Sequence, residues 1–297
     1  MSTVAAPTMG RRLRPAVALG LWTVRESLRR RVFIVVGLLT AGFLGLYALG
    51  CSVAFSGMNN ATQDTSAHVP LRELVGATLG GLGMFAVLFL GCVLAAFLTL
   101  STVRGDAEQG LLQPLVVRPV GRAQVIVVRW AAASVVCVLY VGLVYAAMLI
   151  VLDVTGGWTP DHIVGPGFRL ALSVAVLAAL CVLGSVFMTA TANGIAVFMV
   201  LGAGLFAGLL GQVGRGIGNS SLKHAANVIA WCLPFESLYQ DALAQTTAAQ
   251  VGISRFLVQL GPFGGGVSGG ALLLPYVVAY LAGVGAMTVA LAARRDL

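Results

Sequence analysis

Between Leu170 and Gly214 the chain runs for 45 residues without a single Asp, Glu, Lys or Arg. A helix that crosses the ~30 Å hydrocarbon core of a bilayer needs about 20 predominantly apolar residues, so this interval accommodates two spans and a turn. Helices of a soluble protein keep a polar face toward water, and nothing in this interval could supply one. Only 9% of the chain is charged, against about 25% in a soluble domain. The expected fold class is all-α integral membrane with no soluble catalytic domain.

Six stretches meet the length and apolarity of a span: roughly Val32–Phe55, Leu74–Val103, Trp130–Leu152, Leu170–Ala190, Ile195–Val213 and Ala271–Ala293. Thr191-Ala192-Asn193-Gly194 is expected to turn between the fourth and fifth, because Asn-Gly favours positive-φ turn geometry. Pro275 falls near the start of the sixth, where a missing N–H does least harm. Ala225–Leu233, ended by Pro234, is too short to cross as a helix and reads as interfacial or re-entrant. Gly261–Gly270 reads as a flexible connector.

Upstream of the first span, residues 1–14 form a basic tail and Pro15 is placed to open a helix. Val17, Leu21, Val24 and Leu28 share one helical face, while Arg25, Glu26, Arg29 and Arg30 point elsewhere. That pattern predicts an amphipathic helix in the interface plane, with a frayed cytoplasmic leader as the alternative. The organisation expected is therefore a tail and interfacial helix over 1–31 and one six-span domain over 32–297. Met1–Pro15 is polar and basic, and Arg25 and Glu26 interrupt the apolar stretch after it, so no cleaved signal peptide is expected. Ala48-Leu49-Gly50-Cys51 lies too far along the chain to act as a lipobox.

The net charge of +8 is almost all arginine, Lys223 being the only lysine. With six spans, the side holding both termini carries 13 arginines and the other side five basic residues. The positive-inside rule then puts both termini in the cytoplasm and the chain in the inner membrane. No base-reading motif accompanies the arginines, so nucleic acid is not an expected partner. Of the five cysteines, Cys92, Cys137 and Cys181 fall inside spans as small hydrophobes. Cys51 and Cys232 both fall toward the outer side, where a disulfide between them is one alternative.

Several chemistries are excluded or disfavoured. A phosphate-cradling Walker A loop needs Gly before its Lys, and Lys223 follows Leu222, so ATP hydrolysis would belong to another chain. The interiors of the six spans hold no ionisable residue, which argues against a proton relay, although backbone carbonyls could still serve ions. Gly266-Val267-Ser268-Gly269 is similar to the Gly-x-Ser-Gly of intramembrane serine proteases, but His68, His162 and His224 all precede Ser268. No base follows it, and Ser268 reads as linker. Cys51, Met58 and His68 share one outer region without a metal-ligand spacing.

The most featured polar stretch lies between the second and third spans, from Val103 to Val125. It holds Arg104, Asp106, Glu108, Gly110, Pro114, Arg118, Pro119 and Arg122, with Leu111, Leu112, Leu115 and Val116 between them. Read alone, it also fits an ordinary positive-inside loop. As a short amphipathic element bounded by Gly and Pro, it is the kind of helix that seats in a groove of a partner.

An acidic residue, a glycine, Leu-Leu and then Arg-Pro-Val-x-Arg resembles the corresponding loop of ABC exporter permeases of the type-2 class. Leu21–Ile34 is similar to the amphipathic helix that precedes their first span, and Leu233–Ala244 to their outer region between spans five and six. The resemblance is nearest the multicopper-enzyme-maturation-like permease subgroup, a label that assigns no copper. It implies that Asp106–Val117 is a coupling helix docking on a cytoplasmic ATP-binding subunit through Asp106, Glu108, Gly110, Leu111, Leu112, Leu115, Arg118, Pro119 and Arg122. Leu111 stands where the family often has Thr. The resemblance also implies a connecting helix over Val17–Arg31, with Leu21, Arg25, Glu26 and Leu28. It implies a second permease copy or paralogue, with spans one, two and five lining the interface between them, and export of the substrate. Gly80, Gly81, Gly83, Gly202 and Gly204 allow close helix approach, with simple small-residue packing as an equal alternative. This chain would carry no cofactor and no catalytic residue, ATP and Mg being bound by the partner. A membrane scaffold or assembly factor, or a secondary carrier, remain as alternatives.

Overall fold

A computed structural model describes residues 31–61, 71–99, 122–246 and 269–294. The interfacial segment with Leu21, Arg25, Glu26 and Leu28 lies outside the described residues. So do the coupling segment from Asp106 to Pro119, His68 and Ser268. Among the described residues there are eight helices and no strand. They are α1 (Arg31–Ala61), α2 (Leu71–Thr99), α3 (Arg122–Gly156), α4 (Val164–Phe187), α5 (Ala190–Gly216), α6 (Ser220–Cys232), α7 (Pro234–Thr246) and α8 (Leu273–Arg294). Six are long and apolar enough to cross a membrane, over Phe33–Gly57, Arg72–Thr99, Ile126–Gly156, Val164–Phe187, Ala190–Gly216 and Leu273–Ala292. The protein is an all-α, multi-pass membrane protein.

Lipid tails are as apolar as leucine, so packing between the spans depends on close approach and on hydrogen bonds across helices. The glycines of α2 show how. A Cβ on Gly76 would collide with the Trp158 ring, one on Gly83 with Met148 and the Tyr47 hydroxyl, and one on Gly91 with Val141 and Val174. Tyr47 of α1 donates to Leu79 O of α2 at 2.9 Å, and the hydroxyls of Thr40 and Tyr140 tie α1 to α3 at 2.5 Å. Arg72 Nε donates to Gly156 O at 2.7 Å, covering the open carbonyl end of α3 with a cation. α4 packs against α2, α3, α5, α7 and α8 and is the centre of the bundle. In its most apolar stretch 72% of residues are buried by protein, against 11% for α1, whose remaining surface is left for lipid or another subunit. The spans alternate in direction. Arg31, Thr99, Arg122, Phe187, Ala190 and Arg294 end helices at one end of the bundle, here the Arg31 end. Ala61, Leu71, Gly156, Val164, Gly216 and Leu273 do so at the other, the hairpin end.

Two boundaries differ from the expectation. The turn between the fourth and fifth spans is at Met188–Thr189, where both residues are extended, not at 191–194. Asn193 sits inside the first turn of α5, buried, and its Nδ2 donates to Cys181 O of α4 at 2.9 Å. Gly184 of α4 makes room for that amide, since a Cβ there would collide with Asn193 Oδ1. An amide that satisfies a neighbouring helix is worth more at this depth than a turn-forming one. The fourth span also begins at Val164, not Leu170, and so carries Arg169 in its second turn.

Cys51 is buried in the bundle, while Cys232 ends α6 exposed, and both thiols are free, so the disulfide alternative is not realised.

Candidate functional site

The segment after α5 does not stay at the surface. Gly218, at φ +71°, and Asn219 reverse the chain, and the Asn219 side chain caps α6 by accepting from Ser221 N at 2.9 Å and Leu222 N at 3.3 Å. α6 then runs back along α5. Leu222 lies against Gly214, and Ala226 against Gly211. At Leu233–Pro234 the direction changes again, with Pro234 at the first position of α7, where its missing N–H is harmless. Phe235 lies on Gly204, 12 residues below the end of α5 or about 18 Å along its axis. From there α7 returns toward the hairpin end. Tyr276 and Tyr280 of α8 clamp the bend, donating to Trp231 O and, at 3.0 Å, to Cys232 O.

α7 is buried on all sides: ten of its 13 residues are buried, so it belongs to the core and not to the interface. That burial takes polar groups with it. Asp241 ties three elements together. One of its oxygens accepts from Arg169 Nε of α4 and, at 3.5 Å, from Gln245 Nε2; the other accepts from Gly269 N, ahead of α8, at 2.9 Å.

One turn deeper stands Glu236, 2% exposed. Gln240 Nε2 donates to its Oε1 at 2.8 Å. Its Oε2, the Gln240 Oε1 and the Tyr239 hydroxyl are all buried and find no hydrogen-bond partner among the described residues. These three side chains stand at i, i+3 and i+4 on one face of α7. Burial pushes the Glu236 carboxyl up to about 7, against a smaller opposing effect of the Gln240 hydrogen bond, and burial likewise raises the Tyr239 hydroxyl. The seat for this carboxylate is Gly208 of α5, where a Cβ would collide with Glu236 Oε1. Gly204 and Gly208 thus form a bare face that admits Phe235 and Glu236. Gly202, by contrast, has no described atom within 4 Å of where its Cβ would stand.

Gly208→Ala is therefore expected to force the carboxylate from its seat at a cost of about 1–3 kcal/mol, read as a lowered melting midpoint in detergent. Gly202→Ala on the open face of the same helix should leave that midpoint unchanged or slightly raised.

The six spans read from the sequence hold no ionisable residue in their interiors, and the carboxylates the bundle buries, Glu236 and Asp241, stand on α7 and not on a span. Leu233–Ala244 reads as an outer region in sequence, yet it carries Glu236 and Asp241 inside. The signal was present as Glu236, Tyr239 and Gln240 at helical spacing behind Pro234, but nothing in those spacings says which surface receives the face. Of the sequence-derived coupling residues only Arg122 is among the described residues, where it opens α3. No group of three or more His, Cys, Asp or Glu placed to hold a metal ion occurs among the described residues.

Fold and site together define the class: a six-span helical membrane protein with a re-entrant helical hairpin carrying a buried carboxylate. No protein-family model and no curated protein matches this chain.

Proposed function

We propose that this chain is the membrane-spanning permease subunit of an ATP-driven ABC transporter. It sits in the inner membrane with both termini cytoplasmic and exports its substrate using a separate ATP-binding subunit. A second permease copy or paralogue completes the path, and no catalytic step falls to this chain. The observation that carries the reading is the convergence of helix ends at the Arg31 end. Thr99 and Arg122 bracket the Asp106–Pro119 segment at the same end of the bundle as Arg31 and Arg294. The helix ends that flank this docking-patterned loop, the segment before α1 and the C-terminal tail therefore lie at one end of the bundle. ATP binding can drive the permease only if its partner contacts differ between two states, which gives the coupling segment its task.

The test is Glu108→Arg. It is expected to abolish stimulation of the co-purifying ATPase while membrane insertion and yield stay unchanged; unaltered transport in that variant would remove the coupling role.

A second reading, an ion-coupled carrier, is favoured by one observation, the buried carboxylate of Glu236. Transport that survives ATP depletion and collapses with the ion gradient would select it. An assembly factor would show neither dependence.

A further inference from the structure

We propose that Glu236 is a proton-binding site that locks the α6–α7 hairpin onto α5: the carboxyl is protonated while the hairpin is seated, and ionises when the hairpin withdraws and water reaches it. The inference rests on the hairpin geometry and not on the ATP-driven reading.

The donor and acceptor inventory is the first argument. An ionised carboxylate only accepts, and so does an amide oxygen, so the seated pair leaves Glu236 Oε2 and Gln240 Oε1 as two buried acceptors with no protein donor among the described residues. A proton on Oε2 turns one acceptor into a donor and removes the mismatch. The Tyr239 hydroxyl, also buried without a partner on the same face, is a further group able to give or take a hydrogen bond there.

Among the described residues no counter-charge stands against Glu236. The helices packed against α7 carry few ionisable groups. Arg72 of α2 is bound to Gly156 O, and Arg169 of α4 to Asp241. Arg215 of α5 lies over Gly211, one turn from Gly208, and α6 brings Lys223 to the level of Gly214, with His224 beside it. Arg294 of α8 is at the opposite end of the bundle, Glu73 is near the start of α2, and the α8 tyrosines Tyr276 and Tyr280 are engaged with Trp231 O and Cys232 O. Neither the ion pairs nor the hydrogen bonds described for Glu236 include a cation; its partner is Gln240. A buried carboxylate without a cation lowers its energy by taking a proton.

The third argument is the seat. Contact with Gly208 excludes water from the carboxylate only while α7 lies on α5. The same displacement that withdraws the hairpin exposes Glu236, so proton release and unseating are one equilibrium. The sign follows from the raised affinity of the seated state. Seating is fully favoured at low pH, where both states are protonated, and is lost as pH rises through the seated-state midpoint near 7.

Two measurements on the purified full chain test this. Infrared spectroscopy should find a protonated-carboxyl C=O band at pH 5 that disappears with a midpoint near neutrality and is missing in Glu236→Gln. Absence of that band, its persistence in Glu236→Gln, or a midpoint in the ordinary carboxylate range would overturn the proposal. Displacement of the band by sodium at constant pH would also overturn it, reassigning the site to a metal cation.

Thiol labelling reads the hairpin itself. In a Cys232→Ser background, Ala242→Cys places a thiol at a fully buried α7 position. Relative to a solvent-exposed reference thiol, which carries the pH dependence of the thiolate itself, its labelling rate should rise by up to about tenfold per pH unit below the midpoint and level off above it, and Glu236→Gln, which mimics the protonated form, should remove that rise. A pH dependence of that relative rate that survives in Glu236→Gln overturns the lock. Neither readout involves ATP or transport, so a failure here is distinct from a failure of the permease reading.

Discussion

Glu236→Lys is expected to unseat the α6–α7 hairpin. The ammonium would enter a pocket made of Gly208, Phe235 and the Gln240 amide, where no carboxylate of the described residues stands to receive it. An unpaired buried charge of this kind costs about 3–5 kcal/mol, and a cost of about 3 kcal/mol alone shifts the seated-to-unseated ratio by more than a hundredfold. Labelling of Ala242→Cys in the Cys232→Ser background measures it: the thiol should be protected in the parent and reactive once Glu236→Lys is added. Because α1–α5 and α8 pack through contacts that do not involve Glu236, yield and insertion should be retained. Protection of Ala242→Cys in the Glu236→Lys protein would mean that the Gly208 seat does not hold α7.

The second large effect is expected at Asp241. Asp241→Ala removes the acceptor of Arg169 Nε and of Gly269 N together, leaving a guanidinium one-fifth exposed and a backbone donor without their partner. The cost is about 2–3 kcal/mol, placed below the fully buried range because solvent still reaches Arg169. Asp241→Asn keeps one acceptor oxygen and should fall between the parent and Asp241→Ala. In the double variant with Arg169→Ala the losses should be less than additive, since both substitutions break the same contact. Melting midpoints in detergent for the parent, the two single variants and the double variant give that cycle. Full additivity would show that the two side chains act separately.

The two sites divide the work of holding the hairpin. Asp241 joins α7 to α4 and to the chain entering α8 near the hairpin end, by charge and hydrogen bonds. Glu236 joins it to α5 one turn deeper, by fit against a bare glycine face. The first contact is a fixed ion pair, whereas the second depends on a carboxyl that burial pushes up to about 7. On the order of 3 kcal/mol separates seating with the carboxyl protonated from seating with it ionised, the equivalent of moving its midpoint from the ordinary value to about 7. Motion of the hairpin would therefore begin at its deep end.

How much of this was legible beforehand differs from element to element. All six spans are visible in the chain, and Pro234 marks the start of α7 as well as the end of the apolar run before it. Asn193 shows the opposite case. Asn-Gly is a turn signal wherever water can solvate the turn, and here the signal loses to a carbonyl of α4 that sits beside Gly184. The polar face of α7 was equally present in the sequence, but a polar helix of 13 residues is stable at an interface as well as inside a bundle. The choice between those sites is made by Gly204 and Gly208 on another helix.

Solvation by lipid is a property of about 20 consecutive residues, so a local reading suffices for it. The sequence by itself therefore determined the class of protein and the six crossings. What only the tertiary structure decided is where the few carboxylates go. Asp241 meets Arg169 across 72 positions of sequence, and Glu236 meets the bare face of α5, because the hairpin turns inward. Burial of a polar group is set by the surface that covers it, and that surface comes from residues far away along the chain.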